Sequence, residues 1–311
     1  MQRKVHFIVG PTAVGKTFLS QLLAQKIELE IVSADSRQIY RYMDIGTAKP
    51  DARFRRKVPH HFIDICDPDE YYSAGLFGKQ ARQTIEQIFG RNKVPLVVGG
   101  SGFYIKALVD GIFELDAKDQ EIRNVLESRL NSEGLSALFR QLQEVDPIYA
   151  QKISPNDRQR ILRSLEVFLI TGKPFSSFHE QQPEPADFEA IFWGLTMERK
   201  MLYKRINQRV ELMLKEGLID EVKHLLEMGY SPRLNALNTV GYKEVIAYLQ
   251  NQINYVDMVE LIKRNTRRYA KRQLTWFRAD ERITWVEVRN EVDFQKLAEQ
   301  IIENLKSAPR F

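Results

Sequence analysis

The feature that most constrains the fold is a glycine-rich segment between an apolar run and a helical pattern. Residues 5–9 read VHFIV, residues 10–17 read GPTAVGKT, and an apolar-periodic stretch follows at 18–27. The segment fits G-x-x-x-x-G-K-[ST] at every fixed position. Glycines let successive backbone N–H groups point inward, and the start of the helix adds the positive end of its dipole. The pattern predicts strand, loop and helix, with a di- or triphosphate bound in the loop.

Two side chains of this P-loop supply the groups that a phosphate needs. Lys16 provides a mobile positive charge, and Thr17 provides a hydroxyl for a magnesium ion or a phosphate oxygen. A turn without a ligand could carry the same letters, but the flanking strand and helix favour the phosphate site. The predicted diphosphate site comprises Gly10, Pro11, Thr12, Ala13, Val14, Gly15, Lys16 and Thr17.

Composition limits the remaining possibilities. The 311 residues are 43% hydrophobic and 28% charged, which is typical of a globular protein. Cys66 is the single cysteine, so a disulfide within the chain and a multi-thiolate zinc site are excluded, and a reducing compartment is expected. A strand begins within a few residues of the N-terminus, and no apolar run reaches the roughly 18 residues of a membrane helix. We therefore expect no signal peptide, no membrane association and a cytoplasmic location.

Two further predicted strands end at residues that could take part in binding or catalysis. Residues 30–34 precede Asp35, and residues 93–98 precede Gly99-Gly100-Ser101-Gly102. Because ligands bind outside the carboxyl ends of parallel strands, Asp35 is expected beside the P-loop. A local turn made by Asp35 is an equally open alternative. The glycines of the second turn suggest that a substrate approaches its backbone closely.

The rest of the chain predicts an α/β protein, with a P-loop NTPase-like parallel sheet, an all-helical insertion and a helical C-terminal part. Residues 114–187 lack a convincing strand, and the third helical stretch there has Ser154 as a plausible N-cap and Pro155 at its first position. The predicted domains are a core of residues 1–113 plus 188–311 and an insertion of residues 114–187. Additional strands are expected at 62–65, 188–195 and 283–286.

Positive charge concentrates in the C-terminal half. From Arg199 to Arg278 there are 16 Lys and Arg residues against 8 Asp and Glu, an excess of +8 compared with +5 for the whole chain. A solvated helix face would show this pattern too, but a basic stripe with neighbouring aromatic residues favours a nucleic-acid partner. A helix predicted at 256–278 carries the stripe Lys263, Arg264, Arg267, Arg268, Lys271 and Arg272.

Seven segments together closely resemble the bacterial tRNA dimethylallyltransferases, also called tRNA isopentenyltransferases. They are GPTAVGKT at 10–17, DSRQIYRYMDIGTAKP at 35–50, PHHFIDI at 59–65, VGGSGFYIKAL at 98–108, NDRQRILRSLEVF at 156–168, NTVGYKE at 238–244 and RYAKRQLTWFR at 268–278. The resemblance implies transfer of a dimethylallyl group from dimethylallyl diphosphate to the exocyclic amine of the adenosine immediately 3′ of the anticodon, tRNA position 37. Diphosphate would leave, Mg²⁺ would be the cofactor, and a monomer is expected.

The resemblance also implies roles for individual residues. Asp35 would be the general base on the adenine amine, Thr17 would assist at the magnesium ion, and Arg199 would be a second charge on the diphosphate. Ser101 stands where the family usually has Thr. The residues predicted to contact tRNA are Asp35, Ser36, Arg37, Gln38, Ser101, Arg123, Gln159, Arg160, Ile161, Leu162, Arg163, Gly241, Tyr242, Lys243, Lys271, Arg272, Gln273 and Arg278.

Two alternatives compete with this interpretation. A P-loop kinase that phosphorylates a nucleotide or metabolite fits the loop and the sheet equally well, but fits the basic helix and the glycine-ended strand less well. A non-catalytic RNA-binding module with a relict P-loop is opposed by the intact Lys16 and Thr17.

Overall fold

The computed structural model describes residues 3–112, 119–180 and 184–307. The chain divides into two compact units, Met1–Val109 with Pro185–Phe311, and Asp110–Glu184. The first unit is built on a parallel sheet and the second is helical in its described part, which confirms the predicted fold class. The boundaries of the second unit lie a few residues before the predicted ones.

The sheet has six parallel strands in the order β3-β2-β4-β1-β5-β6. Its strands β1 and β2 are almost continuously buried, because helices cover both faces of a parallel sheet and the strands must be apolar on both sides. The strands are β1 (Lys4–Val9), β2 (Leu29–Ala34), β3 (His60–His61), β4 (Val94–Gly99), β5 (Glu189–Thr196) and β6 (Ile283–Glu287).

Helices make up most of the remainder. In the first unit, Leu19 and Leu23 on the helix after β1 are buried against Phe294 and Leu297 on the last helix, which closes one side of the core. No described helix is both long enough and apolar enough to span a membrane. The helices are α1 (Lys16–Ala24), α2 (Ala52–Lys57), α3 (Ala74–Gly90), α4 (Gly102–Val109), α5 (Gln120–Glu133), α6 (Leu135–Val145), α7 (Pro147–Ala150), α8 (Arg158–Thr171), α9 (Arg199–Lys215), α10 (Leu218–Glu227), α11 (Tyr242–Leu249), α12 (Tyr255–Arg278) and α13 (Glu291–Ser307).

The helical unit has a core of its own. Leu138, Leu142, Ile161 and Leu165 are fully buried there at helical spacing. Asp146 is also buried, and its carboxylate accepts hydrogen bonds from the backbone N–H groups of Tyr149 and Ser176, which satisfies the buried charge. The predicted helical character of this insertion is therefore confirmed for its described residues.

Two local predictions were wrong. No strand covers residues 62–65, because Phe62 and Asp64 have φ angles of 65° and 58°, a left-handed conformation that a strand does not tolerate. Helix α8 begins at Arg158 rather than Pro155. The carboxylate of Asp157 caps it by accepting from the N–H of Arg160 at 3.1 Å, while Ser154 only closes the turn before it.

Candidate active site

Three turns begin side by side at the carboxyl edge of the sheet. Strand β4 lies between β1 and β2, and Gly99 is in register with both Val9 and Ala34. Neighbouring strands are about 4.8 Å apart, so the P-loop and the turn that carries Asp35 start within roughly 10 Å of each other. Asp35 therefore lies near the P-loop at the carboxyl ends of the strands, which is where open parallel sheets bind their ligands.

The P-loop has the backbone geometry that its glycines permit. Gly10 and Gly15 have φ angles of 140° and 112°. A Cβ on Gly10 would lie 2.6 Å from the carbonyl oxygen of Leu195, and one on Gly15 would lie 2.5 Å from Cζ of Phe294. Both positions thus exclude any side chain, for reasons of conformation and of space.

Lys16 is turned back onto its own loop. Its Nζ donates to the carbonyl oxygens of Gly10 and Pro11, at 2.9 and 2.8 Å. Burial lowers the pKa of Lys16 to about 8, the charge of Asp35 opposes this shift, and the charge of Arg209 adds to it. The two cations and the carboxylate therefore act on one another within a single site.

Arg209 is a site residue that the sequence analysis missed. Its NH1 donates to Oγ1 of Thr12 at 3.2 Å, and burial followed by the charge of Arg205 lowers its pKa. The predicted diphosphate ligand Arg199 instead lies exposed at the start of α9, where its guanidinium stacks over the ring of Tyr203. Arg199 is ten residues before Arg209, or roughly 15 Å along the helix axis. The sequence did offer one signal for Arg209: it forms an i, i+4 pair with Arg205, next to the apolar residues of α9 that are buried.

The sequence left open whether Asp35 lies beside the P-loop or makes a local turn, and in the structure it does both. Its Oδ1 accepts from the N–H of Arg37 at 2.9 Å, which is a local Asx turn, and the carboxylate still lies partly exposed beside the P-loop. The N–H of Ser36 donates to Oγ of Ser101 at 2.9 Å, so the turns after β2 and β4 are joined. Arg37 donates through NH1 to the carbonyl oxygen of Asn235.

Gln38 is held by the loop that follows it. Its Nε2 donates to the carbonyl oxygens of Thr47 and Ala48, each at 3.2 Å. The loop is fixed in turn by Glu221, whose carboxylate accepts from the N–H groups of residues 44–46 at 2.8 to 3.1 Å. Glu221 is a second residue that sequence reasoning missed, because no local pattern marks it.

The second glycine turn lies against helix α12, a contact that the sequence did not indicate. Side chains of α12 approach the backbone of this turn closely. A Cβ on Gly100 would overlap Nε2 of Gln273, and one on Gly102 would overlap the indole of Trp276. Gln273 is only 6% exposed, and both ends of its amide are bonded within the protein.

Other predicted tRNA contacts differ in how accessible they are. Lys243, Lys271, Arg272 and Arg278 are exposed, whereas Gly241 is buried. Tyr242 is fully buried, and its hydroxyl donates to Glu221 at 2.6 Å, so its side chain is structural. The basic stripe of α12 divides into two rows: Arg264, Arg268 and Arg272 are exposed, while Lys263 and Arg267 bond to Glu211 and Asn207 of α9.

In the helical unit the predicted tRNA contacts also divide into two groups. Arg123, Gln159 and Arg160 are exposed, and Arg163 pairs with Glu166 at 3.0 Å. Ile161 and Leu162 lie in the apolar core, with 0% and 8% of their surface exposed, so their side chains are not available to an RNA.

A magnesium ion would depend on ligands from the substrate. Within residues 3–112, 119–180 and 184–307 no group of three or more His, Cys, Asp or Glu could hold a metal. Thr17 supplies a hydroxyl at the start of α1, and Asp35 supplies the neighbouring carboxylate. Mg²⁺ is commonly bound by one or two protein oxygens together with phosphates and water, so these donors fit an ion that binds together with a diphosphate. The adjacent histidines at 60 and 61 have structural partners, the Val58 carbonyl and Glu30.

Comparisons with known proteins match nearly the whole chain. A family model described as IPP transferase matches residues 38–280, and one described as isopentenyl transferase matches residues 3–64. A tRNA dimethylallyltransferase of Carboxydothermus hydrogenoformans is 48% identical over 97% of each chain. One of Geobacter sulfurreducens is 49% identical over 91% of this chain and 92% of its own.

Two solved structures agree with the fold. The full-length tRNA isopentenylpyrophosphate transferase of Bacillus halodurans has a TM-score of 0.71 at 40% identity, covering 98% of this chain and 97% of its own. A eukaryotic dimethylallyltransferase, studied in crystals acting on tRNA, has a TM-score of 0.82 at 29% identity, covering 99% of this chain and 81% of its own.

Proposed function

The chain belongs to the IPP transferase family, and we propose that it is a tRNA dimethylallyltransferase. In the proposed reaction, C1 of dimethylallyl diphosphate forms a bond to the exocyclic nitrogen of the adenosine at tRNA position 37, and the C1–O bond to the diphosphate breaks. Asp35 receives the proton that the amine loses. The products are N6-isopentenyladenosine and diphosphate. Prenyltransferase relatives favour this reaction over the kinase alternative.

One observation carries the proposal. Lys16, Arg209 and Asp35 interact electrostatically at the edge where the turns after β1 and β2 flank the end of β4. The two cations suit a leaving diphosphate, and the carboxylate suits a group that loses a proton. A transfer from a diphosphate donor to an amine needs both next to each other.

The donor diphosphate is proposed to bind in the P-loop. Backbone N–H groups of the loop and the first turn of α1, other than that of Thr12, which donates to Gln273, would bind the anion. Lys16 can leave its carbonyl partners to reach the same anion. Arg209, held at Thr12, adds a second positive charge. Such preorganised donors stabilise the negative charge that develops as the diphosphate leaves. A bound Mg²⁺ would neutralise part of the same charge, with Thr17 as its protein ligand.

The acceptor adenosine is proposed to approach from the turn after β2. An exocyclic adenine amine is a weak nucleophile, so a carboxylate that accepts its proton as the new bond forms aids the step. The base must leave the helical stack to reach a site at a strand end, and the half-buried residues 35–38 would hold it there. The exposed cations of α12 would bind the phosphates of the anticodon stem-loop. We further propose a monomer that works in the cytoplasm, where tRNA is modified.

The test is incubation of the purified protein with unmodified tRNA, radiolabelled dimethylallyl diphosphate and Mg²⁺, followed by nucleoside analysis. We expect label in a prenylated adenosine next to the anticodon. Absence of label in the tRNA, together with phosphate transfer from ATP to a small molecule, would support the kinase alternative instead.

The role of Asp35 is tested by Asp35→Asn in the same assay. The amide keeps the shape of the side chain but is not a base, so turnover should fall by about 10²- to 10⁴-fold while tRNA affinity stays within about threefold. Normal single-turnover prenylation by the bound fraction would disprove the assignment.

A further inference from the structure

Gln273 lies on the basic helix α12, yet its side chain points away from the exposed cations and into the protein. It is only 6% exposed, whereas its neighbours Lys271 and Arg272 are exposed. Helical spacing accounts for this difference, because Gln273 falls with Ile262 on the face of α12 that packs against the core. A buried amide needs partners for both of its ends.

Both partners of the Gln273 amide are backbone groups of active-site turns. Its Oε1 accepts from the N–H of Thr12 in the P-loop at 2.8 Å, and its Nε2 donates to the carbonyl oxygen of Gly100 at 2.9 Å. A Cβ on Gly100 would overlap Nε2 of Gln273, so a side chain there would displace the amide. One planar amide therefore spans the space between the turn after β1 and the turn after β4.

The link continues to the turn that carries the proposed base. Ser101, next to Gly100, accepts from the N–H of Ser36 at 2.9 Å, and Ser36 directly follows Asp35. A continuous row of hydrogen bonds thus runs from Thr12 through Gln273 and the second glycine turn to the turn after β2. We call this row the turn bridge, with Thr12, Gln273, Gly100, Ser101 and Ser36 as its members.

We propose that Gln273 is a positioning residue of the transfer reaction, which sets the separation between the P-loop and the turns that carry Ser101 and Asp35. The inference rests on the proposed function. Reacting atoms must be held at about 3 to 3.5 Å, and a misplacement of about 1 Å can cost about 100-fold in rate. The donor is held on one side of Gln273 and the acceptor on the other, so loss of the amide changes their alignment and not the contacts that bind either one.

Gln273→Met tests the proposal, because methionine fills the same volume but can make neither hydrogen bond. With saturating donor and tRNA, the single-turnover rate constant should fall by about 10- to 100-fold. The dissociation constants of tRNA alone and of inorganic diphosphate alone should each change by less than about threefold. Single-turnover rates report bound complexes only, so a loss of folded protein does not imitate this result.

Two control variants are available on the same helix. Ile262 is buried eleven residues before Gln273, roughly 16 Å along the helix axis, so Ile262→Ala should lower the free energy of unfolding but leave the single-turnover rate within twofold of the wild type. Thr275 is exposed, and Thr275→Ala should change neither quantity.

A double-mutant cycle sharpens the test from the opposite side. Gly100→Ala pushes on the same amide, so it should slow single turnover in the wild-type background but have little further effect in the Gln273→Ala background, where no long side chain meets the new methyl group. Additive effects would overturn the proposed link. A normal rate for Gln273→Met would do the same, and loss of tRNA affinity would make Gln273 a tRNA contact instead. If the wild type does not prenylate tRNA at all, the proposed function fails first, and this inference falls with it.

Discussion

The two glycine-rich turns after β1 and β4 look alike in sequence, yet their glycines serve different purposes. In the P-loop, Gly10 and Gly15 have positive φ angles, and a Cβ would meet the Leu195 carbonyl at the first and the Phe294 ring at the second. In the second turn, Gly100 and Gly102 have ordinary backbone angles and make room for side chains of α12. The first turn has the backbone shape proposed to bind an anion, and the second is filled by side chains of the protein itself.

The comparison shows that a glycine after a strand does not by itself indicate a ligand. A missing Cβ allows either an unusual φ angle or a close approach by any neighbour. Helix α12 is that neighbour for the second turn, and it comes about 170 residues later in the chain. The turns should therefore respond differently to substitution, from the largest expected effect to the smallest.

Lys16→Met should produce the largest loss, because the proposed function places the leaving diphosphate against Lys16 in the P-loop. We expect kcat/KM for prenyl transfer to fall by about 10³-fold, since a charge aimed at the developing anion is removed. Lys26→Met is the matched control: Lys26 makes only an exposed ion pair with Glu299, so steady-state kinetics should stay within twofold. Retention of more than a tenth of the activity by Lys16→Met would contradict an anion site in the first turn.

Gly10→Ala and Gly100→Ala compare the two turns directly. At Gly10 the strained φ and the fixed Leu195 carbonyl add up, so the free energy of unfolding should fall by about 3 kcal/mol. At Gly100 the obstacle is the far end of the Gln273 side chain, which can move, so we expect about 1 kcal/mol. Urea unfolding of both variants checks this, and equal losses would remove the distinction between the turns.

The pH dependence of diphosphate binding should also identify the first turn. The pKa of Lys16 is lowered to about 8 by burial, so the charged form that binds the anion is lost as pH rises above that value. Between pH 7 and 9 the affinity for inorganic diphosphate should fall by about tenfold. Lys16→Arg should lack this fall, because a guanidinium does not titrate in the range. The titration of diphosphate itself is common to both proteins and cancels in their ratio; parallel pH profiles would disprove the assignment.

The smallest effect on the reaction is expected from substitutions on the exposed side of α12. Lys271→Ala with Arg272→Ala removes two exposed cations, so the slope of log affinity for tRNA against log salt should become shallower by about 1 to 2. The single-turnover rate of bound tRNA should not change, in contrast to Gln273→Met. The control is Lys26→Ala with Lys296→Ala, an equal change of charge elsewhere. An unchanged salt slope would exclude this side of α12 from the tRNA interface.

Local sequence patterns were sufficient to predict secondary structure where the pattern itself reflects how the element is buried. Strands β1 and β2 were predicted almost to the residue, because parallel strands covered on both faces read as apolar runs. The start of α8 was missed because Ser154 and Asp157 are both good caps three residues apart, and only packing selects one. Residues 62–65 were taken for a strand because their apolar letters do not reveal that Ile65 and Cys66 bond to the carbonyl of Ile39.

By itself, the sequence determined the P-loop, the strand that ends in Asp35 and the basic character of α12, because these depend on short-range spacing and charge. Tertiary structure alone decided that Arg209 contacts the P-loop, that Glu221 fixes the loop behind Gln38, and that Gln273 joins two turns. Each of these contacts links groups more than 170 residues apart. A polar side chain carries no mark of its distant partner, and burial forces it to bond with whichever group the packed helices bring within reach.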